Sequence, residues 1–156
     1  MLPPLTEHRF LPSGVHDASL ADVEVLFGVF QHSERRRRLF AKLTEYVDEV
    51  RRAAPSARVV VDGSFVMAAV DEPEDIDVIL VLPGDWDMSA ELRPFEYNLI
   101  SRRRTQRFYG FDVFAVRSGS PEEANLLEFF QQVGPKWRKP FGLPAGLRKG
   151  IIRIAP

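Results

Sequence analysis

The chain has 156 residues, 45% of them apolar and 28% charged, which is the make-up of a soluble globular protein of about one domain. It has no cysteine, which excludes disulfides and thiolate metal sites and leads to the expectation of a reducing compartment, the cytoplasm of a bacterium. A net charge of −1 excludes a global electrostatic pull toward nucleic acid, and no apolar run reaches the ~20 residues of a membrane span. The opening residues, with two prolines, charges and no continuous apolar core, are not those of a secretory signal.

Residues 1–18 read as an irregular arm broken by Pro3, Pro4, Pro12 and Gly14. Residues 19–156 read as a single domain without an internal boundary, repeat or low-complexity tract. Ser19 is placed to cap a short helix that Gly28 stops, with Leu20, Val23, Leu26 and Phe27 at helical spacing. Ser33 opens a longer helix that ends before Pro55, with Leu39, Leu43, Tyr46, Val47 and Val50 on its inner face. Arg35 to Arg38 belong to this helix and are expected mostly in solvent. Four consecutive residues cover every side of a helix, so at least one must lie against the body or an acid.

A β-branched strand over 57–63 ends at Gly63 and is followed by a brief helix capped by Ser64. After the loop 71–75 comes "IDVILVL", apolar at consecutive positions like a strand covered on both faces. Residues 88–107 are expected to be helical and residues 110–116 to form a strand. Residues 120–133 form a well-marked helix, with Ser120 as cap, Pro121 at the first position and Glu123 three after the cap. A loop rich in Pro, Gly and basic residues precedes a last strand near 151–155. This alternation predicts a layered α/β (α+β) domain rather than a bundle or sandwich.

The chemistry concentrates in "VDGSFVMAAVDEPEDIDVILVLP", residues 61–83. Asp75 and Asp77 lie two apart, so in a strand they share a face. Side-by-side carboxylates repel unless a cation sits between them, and hard cations such as Mg²⁺ bind one or two carboxylates together with substrate phosphates. Asp112, at the start of a later strand, would complete a metal cluster or act as general base if the two strands are neighbours. Gly63 allows close backbone approach, and Ser64 offers N–H and hydroxyl donors to a phosphate.

Gly63-Ser64, then Asp75-Ile76-Asp77, then Asp112 resemble the motif set of the nucleotidyltransferase superfamily typified by DNA polymerase beta. The chain from about Leu11 to "KGIIRI" is also similar to a small bacterial family of that fold with no known role. The resemblance implies a nucleotidyltransferase-like mixed β-sheet flanked by helices, with Asp75, Asp77 and Asp112 as catalytic and metal residues, Gly63 and Ser64 as nucleotide-binding residues, and Mg²⁺ (or Mn²⁺) as cofactor. A nucleoside triphosphate would donate a nucleotidyl group to a protein, RNA or small-molecule acceptor, in a toxin–antitoxin or defence setting. The alternative is a weak or inactive module of the same fold that holds a partner protein as antitoxin or regulatory subunit. Two departures favour it: Ala68 and Ala69 stand where many members carry a second glycine, with no base before Arg93, and the chain lacks the helical domain of larger members.

Other groups keep two readings. Arg102 to Arg104 with Arg107 form either a surface face or a contact for triphosphate or RNA phosphates. "KWRKPFG" is either a nucleic-acid contact or a loop anchored by its Trp. His8, His16 and His32 show no ligand spacing and are expected to be structural, so a metal-dependent nuclease ranks last.

Overall fold

The computed structural model describes residues 2–28 and 33–154; His32 lies outside them. Five strands form one mixed sheet in the order β1-β5-β2-β3-β4. They are β1 (Gly14–Ala18), β2 (Arg58–Asp62), β3 (Asp77–Leu82), β4 (Asp112–Arg117) and β5 (Gly150–Ile154). The outer pairs β1·β5 and β3·β4 are parallel, and the inner pairs β5·β2 and β2·β3 antiparallel. Runs such as VVV in β2 and VILVL in β3 suit a pleated surface covered on both sides.

One face of the sheet packs against α1 (Leu20–Val23), α2 (Glu34–Ala53), α3 (Pro94–Ile100) and α4 (Arg102–Tyr109). Val59, Val61, Val78, Leu80, Val113 and Ile152 meet Leu43, Tyr46, Val47 and Val50 of α2 in this main core. The Tyr46 hydroxyl, buried there, donates to the Leu99 carbonyl at 2.9 Å and ties α2 to α3. The opposite face carries Val60, Ile79, Val81, Val116 and Ile151 under Leu126, Leu127 and Phe130 of α5 (Pro121–Phe130). A single turn, α6 (Pro135–Arg138), then begins the strap that leads to β5. Among the described residues no helix is long and apolar enough to cross a membrane.

The capping signals act as expected. The hydroxyls of Ser19, Ser33 and Ser120 accept from the backbone N–H three residues on. Three expectations need correction. Gly14–Ala18, assigned to an irregular arm, forms an edge strand, because β5 offers it a parallel partner in register from Gly14↔Gly150 to Ala18↔Ile154. The helix expected over 88–107 is two helices: Ser101 adopts an extended conformation (ψ 115°) and its hydroxyl restarts the chain as α4 by accepting from Arg104 N–H. The turn after Gly63 is a 3₁₀ turn, Ser64–Val66, with no side-chain cap, because the Ser64 hydroxyl is engaged elsewhere.

Candidate functional site

Strand register places the acids. Asp62 ends β2, Asp77 begins β3 and Asp112 begins β4; Asp62 lies opposite Asp77, and Asp77 opposite Asp112. In-register neighbours project to one side of a sheet, so the three carboxylates form a row. That side is the one carrying Val60, Ile79 and Phe114. Asp75 lies two residues before Asp77, beside the Gly63 turn. The structure thus brings Asp75, Asp77 and Asp112 to one corner.

Each end of the row has its own cation. Asp62 is buried, and the buried Lys149 ammonium donates to its Oδ1 and, at 3.0 Å, to the Phe130 carbonyl. Burial pushes the Asp62 carboxyl up, with Lys149 opposing the shift. At the other end, Arg102 approaches Asp112 Oδ1 at 3.9 Å while stacking over Phe114 at 4.6 Å. Asp75 Oδ1 accepts from the Ser64 amide (3.2 Å) and hydroxyl (2.8 Å).

Asp77, in the middle, has no ion pair among the described residues. Its carboxyl is pushed up to about 7, first by burial, then by the charges of Asp75, Asp62 and Asp112, with Lys149 pulling the other way. Among the described residues no three His, Cys, Asp or Glu side chains stand at the spacing that holds a metal ion. Asp75 is turned to Ser64, and Asp112 lies 3.9 Å from Arg102. The donor set itself, hard oxygens crowded around an unneutralised carboxylate, is chemically suited to Mg²⁺ or Mn²⁺.

The Gly63-Ser64 turn is fixed from two sides. Gly63 has φ 91° and ψ −177°, a conformation essentially reserved to glycine. A Cβ there would come within 3.0 Å of Asp77 N and 3.1 Å of Asp75 O. Ser64 is buried, and its hydroxyl, besides donating to Asp75, accepts from Glu74 N–H at 3.1 Å. It therefore clips the 71–76 loop to the end of β2 rather than capping a helix.

The backbone that follows Ser64 is held from α2. Arg36 is fully buried and donates to the carbonyls of Phe65 (2.6 Å), Met67 (2.9 Å), Val70 (2.5 Å) and Phe27 (3.2 Å). Burial lowers its pKa to about 10, with Asp71 and Glu72 opposing, so it stays charged at neutral pH. Arg35 stays at the surface beside Glu72 (3.9 Å), and the expectation that one of the four arginines turns inward holds at Arg36.

A cleft of about 580 Å³ runs from the acids and the Gly63-Ser64 turn to the end of α5 and the strap 134–149. Phe129, Gln132, Lys136, Trp137 and Arg138 also line it, and Lys149 lines it beside Asp62. Trp137 anchors the strap: it stacks on Phe141 (6.2 Å) and packs on the small core of Phe10, Met67, Val70 and Val133. Lys136 reaches across to Glu74 at 3.1 Å.

The basic cluster of 102–107 splits, since Arg102 faces Asp112 whereas Arg104 lies over the Phe108 ring at 4.2 Å. His8 packs near Phe10, and His16 bonds the Pro12 carbonyl at 2.6 Å, both structural as expected. Sequence reasoning missed Asp62, Lys149 and Phe129. Only for Asp62 did the sequence hold a signal, an acid at a strand end directly before Gly-Ser.

Fold and site together define a mixed α+β domain with a charged corner beside a glycine-serine turn, opening into a cleft. The chain matches, over residues 3–155, a family of unknown function (DUF6932), and it belongs to that family. No curated protein and no solved structure matches it.

Proposed function

We propose that the protein is a divalent-cation-dependent nucleotidyltransferase. The observation that carries this reading is the register that sets Asp77 beside Asp112, with Asp75 next to the Gly63-Ser64 turn. Asp75, Asp77 and Asp112 would hold Mg²⁺ or Mn²⁺, which would screen the charge of a nucleoside triphosphate and polarise its α-phosphate. To serve it, the Asp75 carboxylate turns from Ser64, which frees the Ser64 amide and hydroxyl for phosphate oxygens. Asp112 leaves Arg102 and accepts the proton of the acceptor hydroxyl. That oxygen forms the new bond to the α-phosphorus while the bond to pyrophosphate breaks. Arg36 holds the 65–70 backbone, and with it the turn, in place. The acceptor is a protein side chain, an RNA end or a small molecule, the setting a toxin–antitoxin or defence pair, and the compartment the cytoplasm.

The test is transfer of label from α-³²P nucleoside triphosphates to components of a bacterial lysate, with Mg²⁺ or Mn²⁺. Wild-type protein is expected to transfer label and Asp77→Asn to lose it. Absence of transfer, combined with no nucleotide-dependent rise in melting temperature, would overturn the reading.

A second reading is a module of the same fold that binds a partner protein as antitoxin or regulatory subunit. It is favoured by the internal engagement of Asp75 with Ser64 and of Asp112 with Arg102. Its mark would be co-purification of one stoichiometric partner without label transfer.

A further inference from the structure

We infer that the wall of the cleft facing the acids is a nucleoside site, in which a nucleobase stacks on Phe129 and meets the amide of Gln132. The inference rests on the transferase reading and adds to it which residues receive the organic half of the donor. Phe129 is 62% exposed although it is a large apolar ring, and it lines the same cleft as Gly63, Ser64 and Asp77. It leans on Phe130 (6.0 Å, tilted 50°), whose own ring is buried, so the Phe129 ring has a rigid support. Gln132 is exposed three residues further on, and no side-chain hydrogen bond occupies its amide among the described residues.

One cation beside this wall is left to meet a phosphate. Of the four basic residues lining the cleft, Lys136 is paired with Glu74, Arg148 with Glu128 and Lys149 with Asp62. Arg138, half-buried, has no acidic partner among the described residues. A ligand filling the cleft must therefore suit a phosphate-type turn and an unneutralised carboxylate at one end. At the other it must suit a bare aromatic face, an unused amide and a spare guanidinium. A nucleoside triphosphate has this polarity, and about 580 Å³ lies within the ~300–1,000 Å³ range of small-molecule pockets. The Lys136–Glu74 pair, exposed and crossing the mouth, is cheap to open, and Lys136 can pass from Glu74 to a phosphate.

The test compares binding of ATP, GTP, CTP and UTP with binding of inorganic tripolyphosphate, by calorimetry in Mg²⁺ on the full chain. The proteins are wild type, Phe129→Ala, Phe129→Tyr and Gln132→Ala. Both residues are exposed, so the variants are expected to fold. Loss of one base–aromatic stack weakens binding by about tenfold. Phe129→Ala is expected to lose about that factor for nucleotides and nothing for tripolyphosphate, with Phe129→Tyr retaining affinity. Gln132→Ala is expected to reduce the preference among the four bases. Nucleotide affinity unchanged in Phe129→Ala, or tripolyphosphate bound by wild type as tightly as any nucleotide, overturns the nucleoside site and leaves the transferase reading standing. Binding of neither ligand overturns both.

Discussion

Arg36→Met tests whether the turn after Gly63 is held from α2. The guanidinium donates to four carbonyls. Met67 O keeps a second partner, Val70 N–H at 2.9 Å, and the bond to Phe27 O, near the end of the π-helical turn that continues α1, is the longest of the four at 3.2 Å. Phe65 O and Val70 O, which take the two shortest bonds, have no other donor among the described residues, so the substitution orphans at least these two buried carbonyls. At about 1–3 kcal/mol each the loss is about 2–6 kcal/mol, and relief of the buried charge offsets part of it, leaving about 3 kcal/mol. For a chain of this length that corresponds to a fall in Tm of about 6–12 °C. Urea and thermal denaturation read the stability, and hydrogen exchange reads the amides of 65–70, which should lose protection before those of β2 and β3. Arg35→Met, at an exposed site beside Glu72, should stay within about 0.5 kcal/mol of wild type. If Arg36→Met stays within 1 kcal/mol as well, with protection of the loop unchanged, the view of Arg36 as the clamp of this turn is wrong.

Three further outcomes follow from the same corner. Lys149→Met should cost about 3–5 kcal/mol in urea denaturation by leaving a buried carboxylate unpaired, and adding Asp62→Asn should restore most of it; an additive double mutant would refute the pairing. Gly63→Ala should cost about 1–3 kcal/mol, since its φ of 91° and the nearby backbone of Asp75 and Asp77 leave a Cβ no room; a neutral result in thermal denaturation would count against the turn geometry. Asp77→Asn should stabilise the metal-free protein in a pH-dependent way. The folded Asp77 carboxyl keeps its proton up to about pH 7, against 3.8 ordinarily, so the folded state binds more protons in between. Wild type is then at full relative stability below about pH 4 and loses it as pH rises through about 7. Chelated samples should show the Asn variant gaining on wild type across that window, and equal behaviour at pH 7.5 would refute the crowding.

What could be read in the chain was local. The caps at Ser19, Ser33 and Ser120, the proline and glycine stops and the apolar runs of β2 and β3 depend on near neighbours, and the corresponding elements formed where expected, whereas the cap assigned to Ser64 did not. Asp75 and Asp77 could be paired by strand period alone. Asp112 could be joined to them only through strand order, which the sequence does not carry, because a parallel β3·β4 pair is made by a crossover through α3 and α4. Asp62 needed the antiparallel register of β2 on β3, and Lys149 needed the return of the chain through the strap to β5. β1 was illegible for a related reason: its five residues have no strong β signal, and a partner 136 residues away supplies the pairing. The inward arginine was predicted as a class, but the choice of Arg36 depends on where the carbonyls of 65–70 come to rest.

The charges along the row bear on which of the two functional readings has the firmer physical footing. Lys149 offsets Asp62 and Arg102 offsets Asp112, whereas Asp75 is held by a neutral serine and Asp77 has no ion pair among the described residues. Two carboxylates thus stand close together with no ion pair to a cation among the described residues, at a partly buried place where burial first, and then the charges of Asp75, Asp62 and Asp112, raise the Asp77 pKa against the pull of Lys149. A surface serving only to hold a protein partner gains nothing from that repulsion, and an asparagine at 77 would fold more easily. A site that takes a divalent cation converts the same repulsion into affinity, because the ion removes it on binding. The readings therefore diverge on one titration. With Mg²⁺ absent, Asp77→Asn should be the more stable protein at neutral pH. With Mg²⁺ and a nucleoside triphosphate present, wild type should gain stability by mass action and Asp77→Asn should not, reversing the order. If the variant remains the more stable in both conditions, the acids hold no cation and the binding-module reading takes precedence.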